Sequence, residues 1–407
     1  MAGYDFAIIG GGAAGMAAAI RAAELGDRVI LMEKGNALGK KIAASGNGRC
    51  NLMNIGEPRY FGDSGFAETI LRRCGPKELT AFWRAQGLLL SEETEGRVYP
   101  CTFLSSTVLE TLKGSLKRNH VEIRLQTAAT ECRKTAKGFQ IRTGKETLEA
   151  GRILVCTGGE AQSRLGGCGD GYAILRAFGH RMIDPFPALC PVITDRRSIA
   201  GLAGIRVKCA VRLLDPAGEE IRRESGEVLF TEYGISGICI MQMARWIRGG
   251  GYQIELDPAG RLFSSDGELD AELAARRERF SEMGAENFLN GITAGKLGFA
   301  VMKQAGIPLR GEKISDLTDD QLRKIAYTLR HYRLSAEGVK GMEEAQVTAG
   351  GAACEEFSPE NMESRLVTGL HAAGEVMNAD GDCGGFNLMF AFAGGILAGE
   401  NGRRKRG

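Results

Sequence analysis

Hydrophobic and polar positions near the start of the chain predict a parallel β-α-β unit. The apolar run at residues 5–9 predicts a short buried strand, which ends abruptly in three glycines. The alanine-rich stretch 13–25 predicts a helix, and the apolar run 28–32 predicts a second buried strand. Because parallel strands need a crossover between them, the unit is complete by Glu33.

A mixed pattern follows. It is helical between residues 79 and 117, with Pro76 well placed to begin one helix and residues 105–107 offering caps for another. A later helix is predicted over residues 170–178. Short alternating runs between these helices predict strands at residues 121–125, 128–133, 139–143 and 153–156.

The pattern changes again from about residue 189 to about residue 342. Capping-box patterns that begin at Ser265 and Thr318 predict helices over residues 268–283 and 319–330. Alternating apolar positions predict strands of an antiparallel sheet at residues 205–214, 227–231 and 252–256.

The last part of the chain returns to the α/β pattern, with a strand predicted over residues 365–373 and a helix over about 386–402. The predicted organisation is therefore a discontinuous α/β domain with a β-rich insertion. The α/β domain comprises residues 1–188 and 345–407, and the insertion comprises residues 189–344, with a helical subdomain at about 265–330.

The composition is that of a soluble globular protein. Hydrophobic residues make up 43% and charged residues 25% of the 407 residues, and this length predicts two or three structural units. The net charge of +2 creates no large field that favours nucleic acid or an anionic membrane. No apolar stretch approaches the roughly 20 residues that span a bilayer, and the first residues lack the features of a signal peptide. We expect a soluble cytoplasmic protein.

Cysteine and histidine usage indicates neither disulfides nor a metal site. The eleven cysteines are scattered singly without a Cys-x-x-Cys pair, which predicts reduced thiols. The four histidines are isolated from one another and have no metal-binding spacing. His371 lies within a strand pattern and is expected to be packed or exposed rather than catalytic.

The junction between the first strand and the first helix carries a G-x-G-x-x-G motif. Gly10 permits the tight turn, Gly12 lets the backbone approach a pyrophosphate, and Gly15 lets helix and strand pack closely. The helix N terminus then faces the diphosphate with free N–H groups and about half a positive charge. A tight turn in an ordinary α/β protein is the alternative.

Glu33 narrows the choice of ligand. It ends the second strand, where a carboxylate accepts hydrogen bonds from both ribose hydroxyls of an adenosine. The same carboxylate would repel a ribose 2′-phosphate, which disfavours NADP at this site. FAD and NAD both remain.

Three further segments concentrate small and polar residues. Residues 39–51 offer glycines for approach to a flat ring and lysines to offset phosphate charge. Residues 155–159 are a strand that ends in a glycine pair. Residues 373–375 and 381–387 precede a helix whose N–H groups could stabilise negative charge on the pyrimidine edge of a flavin. The alternatives are a simple surface loop and a glycine-rich loop capped by Asn387.

Together these motifs resemble the signatures of the bacterial HI0933-like flavoproteins, a family that includes the bile-acid 3-dehydro Δ4,6-reductases. The resemblance covers about residues 1–400. It rests on Gly39-x-Lys41, Ser45-Gly46-Asn47-Gly48-Arg49-Cys50-Asn51, Gly169-Asp170-Gly171, Phe230-Thr231-Glu232-Tyr233-Gly234-Ile235-Ser236-Gly237, Met362-Glu363-Ser364-Arg365, Ala373-Gly374-Glu375 and Gly384-Gly385-Phe386-Asn387.

The resemblance implies a discontinuous Rossmann-type FAD-binding domain with an inserted antiparallel β-barrel-like domain and a helical cap. It implies that residues 45–51 lie near the flavin ring and that residues 384–388 lie at its N1/O2 edge. Met389 departs from the family, which often has Gln at this position. From motif and resemblance together, the predicted FAD-binding residues are Gly10, Gly12, Ala13, Ala14, Gly15, Glu33, Lys34, Lys40, Ser45, Gly46, Gly48, Arg49, Asn51, Thr157, Gly158, Gly374, Glu375, Gly384, Gly385, Asn387 and Leu388.

The resemblance also implies a reaction. Members of the family look like NAD(P)H-linked reductases of carbon–carbon double bonds conjugated to a ketone, in which FAD carries the hydride. Such chemistry needs a general acid, for which Tyr233 and Arg49 are the candidates. Because no second G-x-G-x-x-G follows Gly15, NADH or NADPH is expected to bind only transiently.

Three other functions stay open at this point. An FAD-dependent RNA-modifying or RNA-binding protein is disfavoured by the charge balance and by the lack of aromatic residues interleaved with basic ones. A dithiol-disulfide reductase is disfavoured by the absence of Cys-x-x-Cys. A non-enzymatic flavin sensor would be distinguished by turnover with an acceptor. The sequence fixes neither the acceptor, nor the oligomeric state, nor the choice between NADH and NADPH.

Overall fold

The computed structural model describes residues 3–309 and 311–400, and the chain divides into two compact units. The first unit runs to Phe186 and resumes at Gln346, and the second comprises Pro187–Ala345. The sequence placed the corresponding boundaries after residues 188 and 344. One continuous segment is thus inserted into a discontinuous unit.

The elements are numbered in chain order. Up to residue 188 the strands are β1 (Tyr4–Ile9), β2 (Val29–Met32), β3 (Met53–Asn54), β4 (Tyr60–Gly62), β5 (Leu90–Glu92), β6 (Arg97–Pro100), β7 (Glu122–Arg124), β8 (Ala129–Thr135), β9 (Gly138–Thr143), β10 (Thr147–Val155) and β11 (Met182–Ala188). The helices of this part are α1 (Ala13–Glu24), α2 (Lys40–Ala44), α3 (Ser64–Arg73), α4 (Pro76–Ala85), α5 (Ser105–Arg118) and α6 (Asp170–Ala177). The insertion contains β12 (Val192–Thr194), β13 (Arg206–Leu214), β14 (Glu220–Phe230), β15 (Gly234–Ser236), α7 (Ile238–Met241), β16 (Tyr252–Asp257), α8 (Asp266–Arg279), α9 (Gly295–Gln304), α10 (Asp319–Arg330) and β17 (Tyr332–Val339). The chain then adds β18 (Val347–Ala352), β19 (Leu370–Ala372), β20 (Ala379–Gly381) and α11 (Phe386–Glu400).

The first unit is organised around a mixed sheet in the order β7-β2-β1-β10-β9-β8, with β19 also paired to β10. The pairs of β1 with β2 and β10, of β2 with β7 and of β10 with β19 are parallel, whereas β8 and β9 join antiparallel. All four residues of β2 are buried, as expected for a parallel strand covered on both faces. The predicted β-α-β unit and the Rossmann-type fold are confirmed.

Helices α1 and α11 approach each other closely because small residues line their contact. Seven of the twelve residues of α1 are alanine. A Cβ atom at Gly395 of α11 would overlap the carbonyl oxygen of Ala14, and one at Gly399 would lie 2.8 Å from the carbonyl oxygen of Ala18. This contact fixes the first turn of α1, which contains the end of the glycine motif, against the C-terminal part of the chain.

The inserted unit is built on a closed antiparallel barrel in the order β12-β15-β14-β13-β16-β17. Alternate side chains of β13 point into its core, where Cys209, Val211 and Leu213 are buried. Gly234 and Gly237 stand where a Cβ atom would overlap the carbonyl oxygen of another strand. These two glycines belong to the 230–237 motif, so that motif serves barrel closure. The barrel that the resemblance implied is confirmed.

The helical part of the inserted unit begins its helices as the capping patterns predict. The Ser265 hydroxyl accepts a hydrogen bond from the Glu268 amide at 3.2 Å, and the Thr318 hydroxyl accepts one from the Gln321 amide at 3.3 Å. Helix α10 covers the predicted residues, whereas α8 lies slightly N-terminal of its prediction.

Other elements differ from the sequence prediction. Strands β5 and β6 interrupt the region that had a helical pattern, and α9, β17 and β18 were not predicted. Of the predicted strand at 365–373, only β19 forms. The preceding residues turn instead, because the Ser364 hydroxyl accepts the amides of Leu366 and Val367 and the Glu363 carboxylate accepts the amide of Gly369.

The C-terminal helix matches its prediction as far as the structure describes it, since residues 401–402 lie outside the described part. All eleven cysteines lie within the described residues and are free thiols. None of the described helices combines the length and the apolar character needed to cross a membrane.

Candidate functional site

The glycine motif at the end of β1 shows a different environment at each glycine. Gly10 has a φ of 118°, and a Cβ atom there would overlap the carbonyl oxygen of Cys156. A Cβ atom at Gly15 would overlap the carbonyl oxygen of Gly10, so this glycine allows helix and strand to pack. At Gly12, by contrast, no described atom lies within 4 Å of the Cβ position. The second glycine therefore borders open space, as a backbone that approaches a ligand requires.

The N terminus of α1 is left open by its own chain. Its N-cap residue is Gly12, and the described residues provide neither a side-chain cap nor an acidic residue in the first turn. Ala13 and Ala14, which begin the helix, present small side chains. An anion at this end would satisfy the amide groups and interact favourably with the helix dipole.

Glu33 lies beside this turn at the end of β2. Its Oε2 atom accepts a hydrogen bond from the Gly11 amide at 2.9 Å, and its Oε1 atom accepts one from the Gly35 amide at 2.6 Å. The two amides fix the orientation of the carboxylate. Each oxygen keeps a second lone pair, so the group can also accept hydroxyl donors from a ribose.

Two lysines near the glycine motif, Lys34 and Lys41, each form an ion pair with a carboxylate. Lys34 lies 3.1 Å from Asp170, and Lys41 lies 2.6 Å from Glu375. Although partial burial lowers the pKa of Lys34, hydrogen bonds to Cys168 and Asp170 raise it above its ordinary value. The positive charges of both lysines are thus already balanced by carboxylates, including that of Lys41, which belongs to the loop expected to offset phosphate charge.

Lys40, unlike Lys34 and Lys41, lies close to Glu33. Its Nζ atom lies 3.3 Å from the Cβ position of Gly35, close to Glu33, whose Oε1 atom is 2.9 Å from the same point. The ammonium group is therefore near the expected ribose and diphosphate.

The loop at residues 45–51 has a tightly turned backbone. Ser45–Gly48 forms a 3-10 turn in which Gly46 and Asn47 are left-handed, and Cys50 has a φ of 58°. The Ser45 hydroxyl donates to the carbonyl of Ile42 at 2.8 Å. Burial raises the pKa of the Cys50 thiol to about 11, so this cysteine is protonated at neutral pH and serves packing rather than catalysis. No described atom lies within 4 Å of the Cβ position of Gly48.

The structure brings this loop against the predicted segment 384–388. The Asn54 side chain donates to the carbonyl of Gly384 at 2.9 Å. A Cβ atom at Gly385 would lie 2.6 Å from the Met53 carbonyl and 2.7 Å from Asn51 Oδ1. Two segments more than 300 residues apart in sequence therefore meet, as their shared assignment to the flavin requires.

Asn387 has a role other than the helix cap considered from the sequence. It lies within α11, and its side chain accepts from the Gly381 amide and donates to the Gly381 carbonyl, both at 2.8 Å. This two-point contact holds the glycine-rich loop before the helix. Leu388 is partly buried against the core, and Met389 is buried within it, so an apolar residue suits the place where the family often has Gln.

The buried side chain of Asn51 indicates whether this region can bind a ligand. Its side chain is 9% exposed, and its Oδ1 atom has no hydrogen-bond partner in the described part of the chain. A buried acceptor without a donor is costly, so a bound group with an N–H or O–H is expected there. Together with the open helix N terminus and Gly12, this acceptor fits a flavin dinucleotide.

Residues 157–159 and 374–375 approach the glycine motif from the neighbouring strands. Thr157 Oγ1 accepts the Gly171 amide at 3.1 Å, and no described atom lies near the Cβ position of Gly158. Glu375 accepts the Thr348 amide at 3.0 Å while it also pairs with a lysine. Gly374 has its Cβ position 3.2 Å from Ala14 Cβ, beside the start of α1.

Sequence reasoning missed the small sheet that supports these loops. Strands β5, β6 and β3 form a three-stranded antiparallel sheet. Through its residues the sheet reaches both loops, because the Tyr99 ring lies 3.8 Å from the Cβ position of Gly46 and Arg97 Nε lies 3.7 Å from that of Gly384. Neither Tyr99 nor Arg97 belongs to a motif, so no local signal could have identified them.

The two candidate acids lie in different units. Arg49 belongs to the first unit, where its guanidinium lies over the rings of Tyr99 and Phe103. Tyr233 belongs to the second unit, in the turn between β14 and β15, with the Lys340 ammonium 4.2 Å from its ring centroid.

His371 is packed, which is one of the two environments expected from its strand pattern. It is 1% exposed and packs edge-on against Phe6 at a centroid distance of 5.8 Å. Burial, reinforced by the nearby Arg152, lowers its pKa to about 4, so the imidazole is neutral at physiological pH. It contributes to the core of the first unit.

The chain is similar to a known protein family and to several characterised proteins. A family model described as the HI0933-like protein Rossmann domain matches residues 4–401. A 3-dehydro-bile acid delta(4,6)-reductase of Clostridium scindens is 34% identical over 404 residues, which covers 97% of each chain. Ribosomal RNA dihydrouridine synthases of Escherichia coli and Haemophilus influenzae are 28% and 26% identical and cover 96% and 95% of each chain. The likeness thus extends over both units.

Proposed function

This chain belongs to the HI0933-like family and is an FAD-dependent oxidoreductase, and from that premise we propose that it is an NAD(P)H-linked reductase of carbon–carbon double bonds conjugated to a ketone. The observation that carries the proposal is the 34% identity, over 97% of both chains, to a protein named as a bile-acid delta(4,6)-reductase. The acceptor class is a steroid-like or bile-acid-like enone.

The nucleotide half of the cofactor is assigned to the start of the chain. The open N terminus of α1 receives the diphosphate, where Gly12 lets the backbone come close. Glu33, oriented by two amides, accepts the ribose hydroxyls, and Lys40 adds positive charge nearby. These residues bind and orient but take no part in the chemistry.

The flavin half is assigned to the place where residues 45–51 meet residues 384–388. When bound there, FAD supplies the hydride acceptor and donor of the reaction. Asn51 Oδ1 offers the acceptor for a ring N–H, and the family resemblance puts the edge where negative charge develops on reduction next to residues 384–388. The N1/O2 assignment of this edge comes from the family resemblance.

A ribosomal RNA substrate is the second candidate, and the two dihydrouridine synthases among the relatives favour it. Dihydrouridine is uridine with its ring double bond saturated, and that bond is conjugated to a carbonyl. The two candidates therefore share one reaction on different substrates. The lower identity of these relatives and the net charge of +2 place RNA second.

Anaerobic half-reactions test the proposal. The purified yellow protein is mixed with NADH or NADPH while the flavin absorbance is followed, and an α,β-unsaturated ketosteroid is added after bleaching. We expect one nicotinamide to bleach the flavin and the enone to restore its colour, with the saturated ketone as product. A bleached flavin that the enone leaves reduced would contradict the steroid-like acceptor, and failure of both nicotinamides would contradict the NAD(P)H linkage.

A parallel arm separates the second candidate. Ribosomal RNA lacking the modification replaces the ketosteroid, and dihydrouridine is quantified after digestion. Recovery of colour with RNA but not with the enone, together with RNA retention that weakens as salt rises, would assign the RNA substrate.

A further inference from the structure

Arg49 is held by aromatic rings rather than by a carboxylate. Its Cζ atom lies 4.8 Å from the centroid of the Tyr99 ring and 4.7 Å from that of Phe103. The two rings are adjacent, with centroids 5.6 Å apart and planes tilted by 41°. The guanidinium therefore rests on a two-ring aromatic surface, an arrangement that stabilises a cation without neutralising its charge.

Three other cations of the same region form ion pairs, and a fourth, Lys40, lies near the Glu33 carboxylate. Lys34 pairs with Asp170, Lys41 pairs with Glu375, and Arg97 pairs with Glu95. In the described residues, no carboxylate lies within salt-bridge distance of the guanidinium of Arg49, which is exposed. Its positive charge and its N–H groups are thus available to a ligand.

The backbone fixes both sides of this contact. The Arg49 amide donates to the carbonyl of Gly46 at 3.1 Å, and the next residue, Cys50, is left-handed and fully buried. On the other side, Phe103 is itself left-handed, with its amide 2.8 Å from the carbonyl of Pro100. A guanidinium held by packing loses less side-chain entropy when it binds than a free one does.

The proposed reaction requires a group of this kind. When hydride from the reduced cofactor forms the new C–H bond at the β-carbon, the π electrons of the double bond shift and leave an enolate whose charge lies on the carbonyl oxygen. A proton from solvent or an acid then adds to the α-carbon, which gives the saturated ketone while the cofactor is oxidised. Stabilising that oxygen lowers the barrier to the hydride step.

We propose that Arg49 binds the carbonyl oxygen of the acceptor and stabilises the enolate; this rests on the proposed function. Arginine side chains stay protonated in proteins, so the group acts as a hydrogen-bond donor and a charge rather than as the acid considered from the sequence. The assignment holds for an enone and for a uracil ring alike, since both place negative charge on a carbonyl oxygen.

Phenols provide a probe that does not depend on turnover, because a phenolate resembles an enolate in charge and shape. Binding of para-substituted phenols to the oxidised holoenzyme is measured from the change in flavin absorbance, at pH values above and below the ionisation of each phenol. Arg49→Met removes the charge at similar length, and Arg49→Lys keeps the charge without the planar fork. The control is Arg72→Met, an exposed arginine of α3 whose guanidinium contacts Thr69.

Arg49 was among the predicted FAD-binding residues, and the proposal assigns it to the acceptor instead. We therefore expect Arg49→Met to keep its FAD and to lose about 100-fold in phenolate affinity, with little change for the neutral phenols. Arg49→Lys should lose less, and Arg72→Met should match the native protein. In the half-reactions, Arg49→Met should slow reoxidation by the enone about 100-fold and leave reduction by the nicotinamide unchanged.

Two results would overturn the assignment. Native phenolate affinity in Arg49→Met would show that the guanidinium does not bind an oxyanion, and loss of FAD from that variant would make Arg49 a cofactor residue instead. Failure of the native enzyme to reduce any enone or uracil would overturn the proposed function, whereas the phenolate measurement would still decide the role of Arg49.

Discussion

At the scale of single residues, three glycines of one motif differ in what surrounds them. Gly10 and Gly15 face backbone that a side chain would overlap, whereas Gly12 faces no described atom within 4 Å. Gly12 also has an ordinary φ of −83°, which any residue can adopt. Packing in the described fold therefore requires two of these glycines, and we expect the third to make room for a ligand.

Alanine substitutions separate the two requirements. Gly12→Ala should leave the melting temperature of the FAD-free protein unchanged and weaken FAD binding by at least 10-fold, because the new methyl group occupies the space of the diphosphate. Gly15→Ala should destabilise the FAD-free protein by about 1–3 kcal/mol, since helix and strand must move apart. Thermal unfolding and FAD fluorescence titration measure the two effects. A stable Gly12→Ala protein with native FAD affinity would contradict the assigned site.

At the scale of elements, the contact of α1 with α11 involves two adjacent glycines of α11. Packing leaves no room for a side chain at one of them and leaves room at the other. A Cβ atom at Gly395 would overlap the Ala14 carbonyl, whereas one at Gly394 would make an ordinary 3.4 Å contact with the Met362 side chain. Alanine favours a helix over glycine by about 1 kcal/mol when space permits.

Adjacent substitutions should therefore have opposite effects. Gly394→Ala is expected to be neutral or to stabilise by up to about 1 kcal/mol, and Gly395→Ala is expected to destabilise by about 1–3 kcal/mol. Because Gly395 packs on the first turn of α1, its substitution should also weaken FAD binding. Urea unfolding with and without FAD measures both. Equal effects at the two positions would mean that α11 is free to shift away from α1.

Elements also show which parts of the site the sequence can predict. The glycine motif, Glu33 and the capped helices carry local signals, because their function depends on neighbours in sequence. Strands β5 and β6 are only three and four residues long, and their apolar pattern is too short to distinguish from a helix. Contacts such as Asn54 with Gly384 join positions 330 residues apart, so only the fold reveals them.

At the scale of the whole molecule, the insertion enters and leaves at neighbouring points. Val192 of β12 pairs with Val339 of β17, and the Lys340 amide donates to the Pro191 carbonyl at 2.9 Å. The inserted unit also has its own hydrophobic core within the barrel and helices. The residues proposed to bind FAD all lie in the first unit, whereas Tyr233 lies in the insertion.

This division predicts that cofactor binding and substrate reduction can be separated. A variant in which a short glycine-serine linker joins Phe186 to Gln346 should fold, bind FAD stoichiometrically and keep its yellow colour, because its sheet and glycine motif are intact. It should lose reoxidation by the enone, since we expect the insertion to form the acceptor pocket and to supply the candidate acid Tyr233. Circular dichroism, bound FAD and the half-reactions measure these properties. As a control, Gly12→Ala in the same background should weaken FAD binding as it does in the full chain. If the shortened protein folds without FAD, the insertion contributes to the cofactor site; if it still reduces the enone, the insertion does not form the substrate pocket.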